Sequence, residues 1–313
     1  MDNSGDVASS SVKHLLAPAV LVVLVPAGLA ASVRTVTAPA PVRALELAGG
    51  RIAYATGRSA HDCNRVFVWN LTTRGVTKLG RRTHCEQTST GNEIAAVSIA
   101  GSRVLWVHYA GGNIRDWSLW TATTTKPMPV RLRFVSRDVD APPPIVIGEG
   151  DSSKLGDLLP YAVDRTVVVL RANGSRAFSW TAPRRVVGLA ARGGEVAVAT
   201  AGGTVTVLGE RGRILSAETY ASEVDEVRLT GNAVIVQRGR WLELSGGRSS
   251  TIPIPAGTRL ADADGDRALL VGGGRIRIVD LPTRVTRNVA SGSLARLEGA
   301  RLAVASGRTV SVR

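Results

Sequence analysis

Val187, Leu189, Val196, Val198, Val205 and Val207 are apolar and alternate with small or polar residues, so the stretch 186–215 has a period of two. That period puts one set of side chains on one face of a sheet, and branched Val and Thr side chains suit a pleated surface. Glycine-bearing breaks at 192–194, 201–203 and 210–212 interrupt the alternation. Glycine supplies the positive φ of a tight hairpin turn, so consecutive runs are antiparallel neighbours. The stretch predicts a meander of about four strands. Such a unit is too small to bury both faces alone, which directs attention to repeats.

The pattern recurs along the chain. Unit one is read at 43–47, 51–56, 65–69 and 76–79, and unit two at 93–99, 103–109, 116–121 and 130–135. Unit three is read at 145–148, 158–163, 166–170 and 176–180, with an enlarged loop at 149–157. The fourth is the 186–215 stretch. Units five and six are read at 224–229, 233–237, 241–244, 251–254 and at 259–263, 267–271, 275–280, 285–290. Unit seven, at 294–297, 301–305 and 309–313, stops one strand short. The alternating VRTVT at 33–37 supplies the missing outer strand, and a ring closed from both chain ends leaves no open edge. The expected fold is all-β: a β-propeller of four-stranded antiparallel blades, closed by an N-terminal strand. The count is seven, or six if the enlarged loops are absorbed differently. Residues 31–313 form its single domain.

The strand–turn–strand cores GLAARGGEVAVATAGGTVTVL (188–208), RLADADGDRALLVGGGRIRIVDLPT (259–283) and RVFVWNLTTRGVTKL (65–79) resemble those of bacterial extracytoplasmic β-propeller repeat proteins, of the WD40-like and quinoprotein-like (PQQ-like) kinds. The resemblance covers 33–313 and is one of fold. No blade shows the Gly-His pair of WD40 repeats, and Trp69-Asn70 and Val279-Asp280 are the nearest forms of their Trp-Asp pair. The tryptophan-docking motif of quinoprotein propellers is not evident. The resemblance implies the architecture and leaves the activity open, because such propellers are binding modules and enzymes alike.

A formal net charge of +14, carried mostly by arginine, favours anionic partners: lipid headgroups, cell-wall polymers or nucleic acid. The arginines are spread along the chain, so none forms a basic tail. The uncharged apolar run 15–33 follows Lys13 and His14, and Gly28-Leu29-Ala30 offers small residues for a signal peptidase. Cleavage after Ala30 is expected, which makes 1–30 a signal peptide; the alternative is an uncleaved membrane anchor. Either way the propeller is expected outside the cytoplasm, secreted or at the cell envelope. Membrane contact is then only through 15–33, and no nucleic acid is expected as partner.

Cys63 and Cys85, an even pair in an exported chain, are read as a disulfide. A closed loop of about 20 residues contributes roughly 3 kcal/mol in the chain-entropy account. The alternative is a metal set of His61, Cys63, His84 and Cys85, in which the adjacent ligands diverge along extended backbone. Glu149, Asp151, Lys154 and Asp157 lie in the enlarged loop of unit three and are candidate binding residues. Trp117 and Trp120, three apart on one strand, point to opposite faces, and one of them is a candidate to stack on a sugar or a partner. Asp262–Asp266 has its glycine in the fourth position and reads as an Asp-Gly turn, not a calcium loop. Outside the leader and the cysteine segments only His108 remains, so no catalytic triad or metal site is read, and no cofactor is expected. The expected function is a binding or protein-interaction module at the cell envelope, with a protein or glycan partner met by the loops of blades one to three. The alternatives are an enzyme sited in the central channel, lactonase- or quinoprotein-like, and a basic envelope protein adhering to anionic polymers.

Overall fold

Among the described residues, twenty-eight short strands are linked by turns and loops and by one three-residue 3-10 helix, Glu210–Gly212, which leaves hairpin-linked sheets as the way to pair their backbones. The computed structural model describes residues 1, 32–57, 65–80, 91–151, 156–231, 233–246 and 250–313. Cys63, Cys85, His61, His84 and Lys154 lie outside the described residues, as does the apolar run through residue 31.

The strands form seven four-stranded antiparallel sheets, and the fold is a seven-bladed β-propeller. The inner strands, from blade 1 to blade 7, are Val42–Ala48, Asn92–Ala100, Ile145–Ile147, Val186–Arg192, Glu226–Leu229, Arg259–Asp264 and Leu294–Glu298. The outer strands of blades 1 to 6 are Val76–Leu79, Val130–Asp138, Arg176–Thr181, Ile214–Thr219, Ser250–Pro253 and Thr286–Ser291. Blade 7 takes its outer strand from the other end of the chain: Arg34–Thr37 pairs antiparallel with Thr309–Val312, Arg34 opposite Val312. Six blades is thereby excluded as the count.

The turns are glycine turns for a conformational reason. Gly49 and Gly50 have φ of 58° and 68°, and Gly193 and Gly194 have 62° and 85°, a region that side chains with a Cβ disfavour. Gly265 of the Asp-Gly sequence has φ of 55° in the corresponding first hairpin of blade 6.

Seven apolar clusters lie between the blades rather than within them. One joins blade 1 to blade 2 through Ala53, Val68, Ile99 and Val104, and another joins blade 7 to blade 1 through Val310, Ala305, Leu45 and Tyr54. The residues are mostly Ala, Val, Leu and Ile, small enough for two twisted sheets to approach closely. At about 1.5–3 kcal/mol for each fully buried Val or Leu, these interfaces supply most of the driving force for the ring.

Candidate functional site

Four inner strands carry a charge midway along an otherwise apolar run: buried Glu46 in blade 1, Arg228 in blade 5 and Asp262 in blade 6, and half-buried Arg296 in blade 7. Isolated charges there would be costly to desolvate, so they are paired. Arg296 Nε donates to Glu46 Oε2 at 2.8 Å, and its Nη1 donates to the carbonyls of Ala261 at 2.9 Å and Ala295 at 3.1 Å. Arg228 donates from Nε to the same Ala261 carbonyl at 3.1 Å and from Nη1 to Val227 O at 2.7 Å. A register shift between Leu260 and Asp262 makes Ala261 an extra residue in its strand, and its carbonyl accepts both guanidinium groups.

Glu149 of blade 3 completes the cluster, with Oε1 2.6 Å from Arg228 Nε. The Nε hydrogen is directed at Ala261, so this contact is coulombic and Glu149 Oε1 has no hydrogen bond among the described residues. Glu226 pairs with Arg228 at 3.0 Å and reaches Arg259 at 3.7 Å on the rim. Asp262 instead accepts backbone hydrogens, from Leu297 N and Ala263 N, both at 2.7 Å. Five blades thus meet on the axis through ions. A chamber of about 210 Å³ opens beside them, lined also by Ala95, Ala96 and Gly188 of blades 2 and 4.

Two glycines set Glu149 on the axis. A Cβ on Gly148 would stand 2.7 Å from Leu189 Cβ of blade 4, and one on Gly150 would stand 1.9 Å from the Ile99 carbonyl oxygen of blade 2. Only glycine lets this backbone run so close to both neighbours.

Burial pushes the Glu46 carboxyl up to about 7 against the opposing pull of Arg296, and burial pushes Glu149 and Asp262 up as well. Arg228 and Arg296 are lowered by burial and raised further by the surrounding carboxylates, so both stay charged. His108, 2.7 Å from Asn92 Oδ1, is pushed down to about 4 by burial and by the Arg65 charge. These two groups have opposite consequences for stability. Glu46 favours folding fully below 4.5, and that contribution is lost as pH rises through 7. His108 favours folding fully above 6.5, and its contribution is lost as pH falls through 4. Each is worth on the order of 3 kcal/mol, so they nearly cancel between pH 4.5 and 6.5. Glu149 and Asp262, raised in the same direction, add to the Glu46 side, so urea unfolding is expected to show stability falling as pH rises across that range. Glu46→Gln should make the fall shallower, and His108→Gln should make it steeper.

The other residues singled out in the sequence are dispersed. Asp151 is buried and its carboxylate accepts from Gly194 N at 3.0 Å, a latch from blade 3 onto the first turn of blade 4. Similar latches run from Glu298 to the Gly49 and Gly50 amides and from Asp264 to the Gly299 amide. Asp157 is exposed with φ of 45°. Trp117 is buried between blades 2 and 3, its ring 5.0 Å from Tyr109, whereas half-buried Trp120 packs on the opposite face, towards blade 1. Among the described residues, no group of three or more His, Cys, Asp or Glu side chains is placed to hold a metal ion.

What the sequence reading missed lies on the outside of blade 2. Its third and outer strands, Ile114–Thr123 and Val130–Asp138, have ten and nine residues, where the outer strands of the other blades have four to six. Ile114, Met128, Val130 and Phe134 are 60%, 62%, 61% and 49% exposed around this hairpin. The alternation of VRLRFVSRD covers only 130–134; Phe134 and Val135 are both apolar and 136–138 all polar, so the pattern does not mark the strand's length past residue 135.

No protein-family model matches the sequence, and no curated protein does. Solved structures do. A chain of the mitotic checkpoint complex superposes with a TM-score of 0.58 at 14% identity, over 89% of this chain and 93% of that one. Raptor of Chaetomium thermophilum gives 0.57 at 13% identity over 89% of this chain, which spans only 28% of Raptor. The computationally designed protein Ika8 gives 0.50 at 14% identity, over 88% and 96%. The likeness to WD40-type propellers is one of fold.

Proposed function

We propose that the protein is a protein-interaction module whose propeller is displayed outside the cytoplasm, behind the apolar run 15–33. The observation that carries this reading is the exposed apolar surface of Ile114, Met128, Val130 and Phe134, gathered on one blade of a ring whose axis is filled by its own ion pairs. Several large apolar side chains exposed on one blade mark a candidate contact site. The similar chain of the mitotic checkpoint complex belongs, by that structure's name, to a multi-protein assembly, which accords with the same use of the fold. The partner sought is a protein or glycan of the cell envelope.

The test is site-specific photo-crosslinking in cells, with a photoreactive residue at Phe134 and, as control, at Arg287 on the outer strand of blade 6. Discrete adducts from 134 and none from 287 are expected. Absence of adducts from both would end the module reading. Retention of the purified protein by cell-envelope material should survive high salt; retention confined to low salt would instead favour adhesion to anionic polymers through the +14 charge.

A second reading, an activity in the central channel, is favoured by the carboxyl of Glu46, raised to about 7 beside the axial chamber. It requires that a small ligand protect the chamber, and Glu46→Gln would then abolish ligand-induced stabilisation.

A further inference from the structure

We propose that the outer strand of blade 2, Val130–Asp138, takes an extended acidic segment of a partner protein as a fifth strand. This rests on the interaction-module reading and names the surface and the partner's chemistry.

Among the described residues the strand pairs only on its inner side, with Ile114–Thr123. Its register shift is confined to the start, between the partners of Leu119 and Trp120, so Arg133–Asp138 runs regularly against Ile114–Leu119. Just beyond, the Val139 amide donates inward to the Asn113 carbonyl at 2.8 Å. Alternation along a strand then turns the amides of Phe134, Ser136 and Asp138 outward, free to pair with an added strand.

The side chains select charge. Arg131 lies over the rings of Trp120 and Phe134, at 5.8 and 5.0 Å, and Arg133 lies over Tyr161 at 5.8 Å. Neither has a carboxylate partner among the described residues, whereas Arg137 is already paired with Asp164 at 2.6 Å. A guanidinium held over an aromatic ring has lost part of its rotamer freedom and still presents donors, which suits a carboxylate. Tyr161 belongs to blade 3 and Trp120 packs towards blade 1, so the two arginines stand on opposite faces of the edge. An incoming strand would meet one on each side. Exposed Val130 and Phe134 add apolar contact.

A second copy of the chain is a poorer occupant. Antiparallel pairing of two such strands about Val135 would set Arg133 against Arg137 twice, and pairing about Phe134 would set Arg131 against Arg137. Like charges directly opposite are destabilising.

The experiment uses a fluorescein-labelled peptide of Glu-Glu-Val-Val repeats, which carries Glu on both faces of a strand, the same peptide with Lys for Glu, and the Glu peptide N-methylated at every residue, so that neither edge can pair. Binding to the whole protein is followed by fluorescence anisotropy. The Glu peptide is expected to bind, and the Lys and N-methylated peptides are not. The double variant R131E/R133E should weaken the Glu peptide by about tenfold or more and accept the Lys peptide instead, with an unchanged unfolding curve. Equal binding to wild type and R131E/R133E, undiminished binding of the N-methylated peptide, or no binding at all would each overturn the proposal. In the last case the arginines guard the edge against pairing. A free protein that sediments as a dimer and becomes a monomer on Ser136→Pro would overturn it too, because a second copy would then cover the edge. If crosslinks from Phe134 persist while the peptide fails to bind, the module reading stands and only the acidic strand is lost.

Discussion

Replacing Arg296 by methionine is expected to destabilise the protein by about 3–5 kcal/mol at pH 8, measured by urea or guanidinium unfolding. Methionine fills much of the same space, so little of the loss comes from packing. What is lost is the guanidinium 2.8 Å from Glu46, a carboxylate whose side chain is only 4% exposed, together with two hydrogen bonds to the Ala261 and Ala295 carbonyls. Glu46 already sits at about 7, and without Arg296 it rises further. At pH 5 it can escape by taking a proton, so the loss should be smaller there than at pH 8. The double variant Glu46→Gln with Arg296→Met should recover part of the loss, since Glu46 no longer stands as an unpaired charge, while Asp262 and Glu149 still lose the pull of Arg296. Equal destabilisation at both pH values, with no recovery in the double variant, would show that the pair does not hold the axis.

Gly150→Ala should cost about 3 kcal/mol, at the upper end for overpacking, because the added methyl meets backbone and not a side chain that can swing away. The Ile99 carbonyl would be 1.9 Å from it, and Ile99 is fully buried between blades 1 and 2. Relief requires blade 3 to move away from blade 2, which carries Glu149 off Arg228. The variant should therefore lose stability and also lose part of its dependence on Arg228, seen as a smaller effect of Arg228→Met in the Gly150→Ala background. Gly231→Ala is the control. Its added methyl meets nothing within 4 Å, and its effect should lie within about 1 kcal/mol, in the stabilising direction.

The propeller was legible because period-two runs and glycine turns report on local backbone geometry, and the short VRTVT run at 33–37 could be matched to a blade one strand short. The axial cluster was legible in part and was overlooked. Glu46, Ser98, Arg228, Asp262 and Arg296 each stand three residues before a first-turn glycine, at 49, 101, 231, 265 and 299. Superposed, the repeats place these side chains in one ring. Ser98 is the blade 2 member, buried with its hydroxyl unpaired among the described residues.

Glu149 could not be found in this way. It follows Gly148, beyond the short strand Ile145–Ile147, and the sequence there reads as a polar loop. The Gly148 amide bonded to the Pro160 carbonyl at 3.0 Å and the Asp151 amide bonded to the Leu158 carbonyl at 2.9 Å continue the ladder past the strand and turn the loop's first residues inward. That continuation depends on contacts with blades 2 and 4, which no local pattern records. The free edge of blade 2 failed to register for a different reason. Alternation identifies a strand, and it does not say that the strand outlasts its neighbours.

The ladder between Arg34–Thr37 and Thr309–Val312 has a mechanical meaning. Arg34 faces Val312 and Thr37 faces Thr309, so both chain ends of the propeller leave from the same end of one four-pair ladder. Tension between the termini would not shear these pairs together. It would open them singly, as a zipper opens, with the Arg34–Val312 pair carrying the whole load before handing it on. The ring therefore has one seam that yields to a pull at low force, although each of its other blades is a continuous length of chain. A permuted chain, with residue 313 joined to 33 by a short turn and new ends cut in another blade, would keep every strand in place and shift that seam to the blade of choice.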